Sequence, residues 1–217
     1  MSLLNIHGIT PRGKYNSYKG DQNGTCKNIL LNKVVDEGKR ETTRKRDFST
    51  TACNQKWTTD VSEFRIAAGK LYLSPILDMH NREIVSFNIS RSPNLSQTTD
   101  MLRKAFAKYE NLEGLIFHSD QGWQYQMRFY REELKRRGIK QSMSRKGNCL
   151  DNSPMENFFG VMKNEMFYGH EYEFKSLDVL EKAMIKYIEY YNNKRIMEKT
   201  KGLSPSAYRQ QSFVRLR

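Results

Sequence analysis

The sequence predicts an α/β domain. Three features carry that expectation: β-branched and aromatic segments crowded between residues 57 and 90, a later short apolar run GLIFHSD, and four stretches with one-sided helical periodicity. In chain order they read βββαβαβαα. The 217 residues, 37% of them hydrophobic, suffice for one ordinary core with appendages.

The first strands are WTTDVSEFRI, KLYLSPIL and REIVSFNIS, parted by the turn-like joins AAGK and MHNR, which predicts an antiparallel meander. Ser96 is the expected cap of the first helix, in which Met101, Leu102, Ala105, Phe106 and Tyr109 share a face and Leu95 sits at the staple position. GLIFHSD suits a buried strand whose carboxyl end, at Asp120, opens into a site. A continuous helix is expected from Tyr125 to Arg137, stopped by Gly138, with IKQSMS as another strand. After the loop RKGNCLDNSP, helices are expected from about Pro154 to Tyr168 and from Leu177 to Asn192, the latter with Leu180, Ala183, Met184, Tyr187, Ile188 and Tyr191 on one face. LSP makes Ser204 a cap and Pro205 the first residue of a final short helix.

Residues 1–47 are polar, Gly-rich and basic, and Lys33 to Arg46 shows no apolar period, so this part reads as a flexible arm or linker. The net charge of +13 points to a polyanionic partner, although charge alone names no function. Three distant cysteines and four scattered histidines exclude a disulfide framework and a zinc site, leaving oxygen to hold any metal. No apolar run has the length of a membrane span and the start lacks a signal-peptide pattern; the expected location is the bacterial cytoplasm, at the nucleoid.

Three acids are the candidates for chemistry. Asp60 lies within the first strand on the face opposite Trp57 and Val61; read alone, it fits a strand acid facing water equally well. Asp120 ends a buried strand. Glu156 falls on a helix where Met155, Phe159, Met162 and Met166 form the buried stripe and Asn152, Glu156 and Lys163 a strip beside it, the rim position from which a helix can offer a ligand to a sheet. Lys163 fits either a phosphate contact or a helix ion pair. Carboxylate ligands select Mg²⁺ or Mn²⁺, and two such ions suit phosphodiester transfer.

WTTDVSEF, HSDQGWQY, SMSRKGNCLDNSPMENFFGVMKNEMFY and YYNNKRIMEKTKGLSP together closely resemble the DDE transposases of bacterial insertion sequences with a retroviral-integrase-like core. The resemblance runs from about Phe48 to Tyr208, with 35 residues between Asp120 and Glu156 and Lys163 seven after the glutamate. It implies a ribonuclease H-like mixed sheet flanked by helices, with residues 48–170 as catalytic core and 171–217 as a helical extension packed on it. It assigns Asp60, Asp120 and Glu156 as metal ligands for Mg²⁺ or Mn²⁺. It also suggests DNA contacts from Lys163, Arg145, Lys146, Asn148, Asn152 and Arg195, while His118 reads better as a packed, hydrogen-bonded histidine. DNA ends and target, self-association on DNA, and an upstream helix-turn-helix subunit or fusion are the implied partners.

Two departures stand out. No paired-helix pattern precedes Trp57, which reads as a catalytic fragment, a downstream reading frame or a truncated copy, and 33–46 looks like an insertion behind the linker-like KYNSYKG. The alternatives are a DNA-binding relic without activity and a ribonuclease of similar fold; the spacing and tail do not support the second.

Overall fold

The computed structural model describes residues 24–36 and 41–214. The linker-like KYNSYKG lies outside them. One six-stranded sheet organises the chain. Its strands are β3 (Lys56–Thr59), β4 (Ser62–Ile66), β5 (Gly69–Asp78), β6 (Ile84–Ser90), β7 (Ile116–Ser119) and β8 (Lys140–Met143). β5 pairs antiparallel with β3 and β4 along one edge and with β6 along the other, while β3, β7 and β8 run parallel. This is the expected mixed α/β sheet.

The expected first strand is divided at Asp60 and Val61, yet Thr59↔Ile76 and Ser62↔Leu73 belong to one register, so β3 and β4 are one line of chain with a gap. Side chains take the backbone groups there. Asn152 Nδ2 donates to the Thr59 carbonyl at 3.2 Å, and the Val61 N–H donates to the Asp60 carboxylate at 2.7 Å. The continued register puts Asp60 opposite Pro75, which has no N–H to offer.

Helices cover both faces. On one, Phe64, Leu71, Leu73 and Leu77 meet α4 (Ser153–Met166) and α5 (Leu177–Asn193) through Met155, Phe158, Met162, Leu180, Met184 and Ile188. On the other, Trp57, Ile76 and Phe117 meet α1 (Leu95–Lys108) and α3 (Arg128–Arg136) through Met101, Leu102, Ala105, Tyr130 and Leu134. Trp57 is fully buried edge-on to Phe117; burying a large side chain of this kind contributes roughly 2–3 kcal/mol.

Two expectations are corrected. The cap of α1 is Asn94, whose side chain accepts from Gln97 N, and Ser96 lies inside the first turn. The helix expected from Tyr125 to Arg137 is two, α2 (Trp123–Gln126) and α3, parted by extended backbone at Met127. Tyr125 and Tyr130 are five residues apart, about 140° around an unbroken helix. The break turns both rings into one core, where their centroids lie 5.4 Å apart. At Gly138 φ is +66°, a left-handed conformation that favours glycine, so glycine ends this segment.

The segment read as linker carries a hairpin, β1 (Leu31–Asp36) with β2 (Glu41–Arg46), paired from Leu31↔Arg46 to Asp36↔Glu41. Its base is docked: Leu30 is buried, Asp47 N donates to the Leu30 carbonyl, and Ile29 N donates to Ser142 Oγ on β8. The strands were hidden because Leu31, Val34 and Val35 of β1 fall on both of its faces and β2 is wholly polar, so no single apolar face marks them. At the other end α6 (Pro205–Val214) starts at Pro205, with Ser204 Oγ accepting from Ala207 N. Arg209 anchors it, reaching Asp78 at 2.9 Å and Glu83 in the interior. Among the described residues no helix is long and apolar enough to cross a membrane.

Candidate active site

The parallel register of β3 and β7 brings the two aspartates together. Lys56 lies opposite Ile116, Trp57 opposite Phe117 and Thr58 opposite His118; carried two residues on, it sets Asp60 beside Asp120, on strands about 4.8 Å apart. Each carboxylate is fixed by a backbone donor just beyond it, Val61 N for Asp60 and Gly122 N for Asp120 at 2.9 Å.

Glu156 comes from the first turn of α4, and Lys163 from its last. Burial, the Asp120 charge and the Glu156 charge push the Asp60 carboxyl well above the ordinary carboxylate range, while Val61 N and Lys163 pull it down. Asp120 is likewise raised by burial, against the Gly122 N–H. Asp60 thus feels the charges of both other acids, and Lys163 acts on it as a cation. Its ammonium lies 5.0 Å over the Phe64 ring, and burial lowers its pKa against the charges of Glu63 and Asp60. The gathering is electrostatic: among the described residues no three His, Cys, Asp or Glu side chains close on one ion.

The oxygen donors of Asp60 and Asp120 are the kind a hard divalent cation takes, and the nearby imidazole is occupied. His118 is fully buried, with Nδ1 2.8 Å from Ser142 Oγ and Nε2 3.0 Å from Ser144 Oγ. Burial pulls its pKa down to about 4 despite the Asp151 charge, so it is a neutral strut under the end of β7.

The residues expected near DNA divide. Asn152 is 4% exposed and spends its side chain on β3, accepting from Thr58 Oγ1 and donating to the Thr59 carbonyl. Both polar atoms of the amide face the sheet, where the sequence reading expected the residue near DNA. Arg145 is half-exposed and grips Asp151 through its guanidinium and backbone N–H. Asn148 accepts from Arg46 at 3.0 Å. Arg195 holds Glu165 at 2.7 Å. Lys146 is exposed, with no side-chain partner among the described residues.

Asp151 and Thr58 were not singled out in the sequence. Asp151 is wholly buried; burial opposes its charge, but Arg145 and Arg46 hold it well below the usual carboxylate range. It fastens the hairpin base to the loop that leads into α4. A lone acid in the basic run RKGNCLDN was the available signal.

Known proteins agree with this architecture. The integrase core domain family matches residues 50–149, and a second integrase core domain family matches residues 156–213. An uncharacterized transposase-like protein of Haemophilus influenzae is 48% identical over 98% of this chain and 91% of its own length. The putative transposase InsK for insertion sequence element IS150 of Escherichia coli K12 is 44% identical over 99% of this chain and 70% of its own. Among solved structures, the HTLV-2 integrase catalytic core domain in complex with magnesium superposes with a TM-score of 0.58 at 17% identity, over 73% of this chain and 97% of that one. The BIV integrase catalytic core gives 0.55 at 15% identity, over 76% and 99%. These superpositions give the ribonuclease H-like fold, and together with the sequence relatives they establish that the chain belongs to the insertion-sequence transposases with an integrase core.

Proposed function

We propose that this protein is the catalytic part of a DNA transposase, a DDE-type polynucleotidyl transferase in which Asp60, Asp120 and Glu156 are the metal ligands. The observation that carries the reading is the parallel register that sets Asp60 beside Asp120, with Glu156 on the first turn of α4 near enough for its charge to act on Asp60. In this reading residues 48–170 are the catalytic core and 171–217 an extension that packs on it.

Asp60, Asp120 and Glu156 would hold Mg²⁺ or Mn²⁺, two ions in the full complement, which supply Lewis acidity at a phosphodiester. The chain's own work is placement. Backbone donors at Val61 and Gly122 orient the aspartates, Asn152 fixes strand to helix, and Lys163 offers an ammonium to a phosphate beside the acids. Water first displaces the 3′-oxygen at the element's end. The freed 3′-hydroxyl then attacks a target phosphodiester in line, forming one bond as another breaks, so no external energy source is needed. Lys146 and Arg145 are the loop candidates for DNA phosphates. Assembly as a multimer on DNA, with terminal-repeat recognition by an upstream helix-turn-helix subunit or fusion, completes the proposal.

The test is a strand-transfer assay with a preprocessed element end and Mg²⁺, comparing the chain with Asp120→Asn. Product from the parent and none from the variant is expected. Equal product from both, or salt-sensitive DNA binding with no product from either, would leave a non-catalytic DNA-binding protein.

A further inference from the structure

A groove of about 720 Å³ runs beside the start of α4, away from the strip that carries Glu156. Ser153 and Asn157, one turn apart, line it from α4; Arg195, Glu198 and Lys199 line it from the segment after α5, and Arg82 from the turn between β5 and β6. The charges there are unbalanced. Arg195 is already held by Glu165, but among the described residues neither Arg82 nor Lys199 has an ion pair or a side-chain hydrogen bond. Asp78, the acid whose charge acts on Arg82, already carries Arg209. Glu198 pairs with neither cation.

Arg82 and Lys199 also sense each other. Burial lowers the pKa of both, and the Arg82 charge lowers that of Lys199 further. Two cations of one groove that repel each other, neither with an ion pair among the described residues, are stabilised by an anion from outside. Arg82 moreover holds φ at +66°, a left-handed conformation that costs a non-glycine residue roughly 1 kcal/mol, so the turn does not select arginine for its backbone.

A groove of about 720 Å³ with cations from two separate segments suits an extended anion rather than a single small ion. Asn157 directly follows Glu156 on α4, so the groove begins within about one helical turn, roughly 5 Å, of the candidate site. We propose that this groove holds the phosphodiester backbone of nucleic acid, with Arg82 and Lys199 as two phosphate contacts that continue the strand's path beyond the three acids. The proposal rests on the transposase reading only for what that strand is doing there; the contacts are a matter of binding.

Binding therefore tests it, apart from catalysis. The affinity of the full chain for a short DNA duplex of arbitrary sequence is measured across a salt series in metal-free buffer. Each lost phosphate contact lowers the slope of log K against log salt by ~0.9, so Arg82→Gln with Lys199→Gln should lower it by nearly two and weaken binding roughly tenfold or more at 0.1 M salt. Arg82→Lys should retain most of the affinity. Lys135→Gln with Lys182→Gln, which removes the same charge from exposed helix positions outside the groove, should change far less. Equal losses from the two double variants, or none from the groove pair, would overturn the proposal. Lys199→Gln alone, at an exposed side chain, serves if the double variant does not fold: a slope unchanged from the parent rejects the contact. The measurement contains no metal and reads no strand transfer, so a failed strand-transfer assay leaves this result standing.

Discussion

Asn152 and Thr58 tie the helix of one candidate ligand to the strand of another. The Asn152 side-chain oxygen accepts the Thr58 hydroxyl proton, and its amide donates to the next carbonyl along β3, that of Thr59, one residue before Asp60 leaves the ladder. Four residues later the same chain presents Glu156. The spacing between the two acids is thus set through one buried amide.

Asn152→Leu should leave the Thr58 hydroxyl and the Thr59 carbonyl buried without partners. A loss of about 2–4 kcal/mol in unfolding free energy is expected, since each unsatisfied group costs roughly 1–3 kcal/mol. Denaturant titration measures it, and Mg²⁺ affinity should fall with it while metal-free DNA affinity stays unchanged. A variant as stable as the parent would remove Asn152 from this role.

Divalent cations should stabilise the protein through the three acids. At a hundredfold excess over Kd the gain is roughly 2.7 kcal/mol, visible as a rise in Tm that Asp60→Asn, Asp120→Asn or Glu156→Gln removes. In metal-free buffer at pH 7 the order reverses for Asp60. Its folded pKa lies above the unfolded value, so the ionised form costs stability as pH rises, and Asp60→Asn should melt above the parent. A lower Tm for metal-free Asp60→Asn would count against like-charge crowding at this position.

His118 should make the fold acid-sensitive above the usual carboxylate range. Its pKa is about 4 in the folded chain against 6.5 ordinarily, so between those values the unfolded chain takes up a proton that the folded chain does not. Stability then rises with pH from about 4 and is complete above about 6.5, a span on the order of 3 kcal/mol. Denaturant midpoints at pH 4.5 and pH 7 for the parent and His118→Gln measure it. Parallel pH dependence in the two proteins would show that the imidazole is not the group responsible.

Arg209 should hold α6 in place. Arg209→Met leaves Asp78 in the interior without its cation and Glu83 with Lys108 alone, and breaking a buried pair costs roughly 3–5 kcal/mol. The variant should lose that stability in denaturant, and added Asp78→Asn should restore part of it. If the single variant is unaffected, the ion pair is not what docks the helix.

Much of this was legible along the chain. The stripe of α5 appears as read, from Leu180 through Met184 and Ile188 to Tyr191, because a helix that buries one face writes its period into the sequence. Pro205 opens α6 for an equally local reason. The hairpin at Leu31–Arg46 was not legible, since strands without an apolar face leave no period. Nor was the break at Met127, which is decided by where two tyrosines must point.

The linear sequence determined which acids to consider and the family to which they belong: motif order, the interval from Asp120 to Glu156 and the lysine after it are properties of the chain itself. Folding decided the rest. Whether Asn152 faces DNA or β3, whether Arg145 is free or bound to Asp151, and which cations lack partners depend on residues dozens of positions away meeting at hydrogen-bonding range. Such distances are set by strand register and helix packing, and no local pattern encodes them.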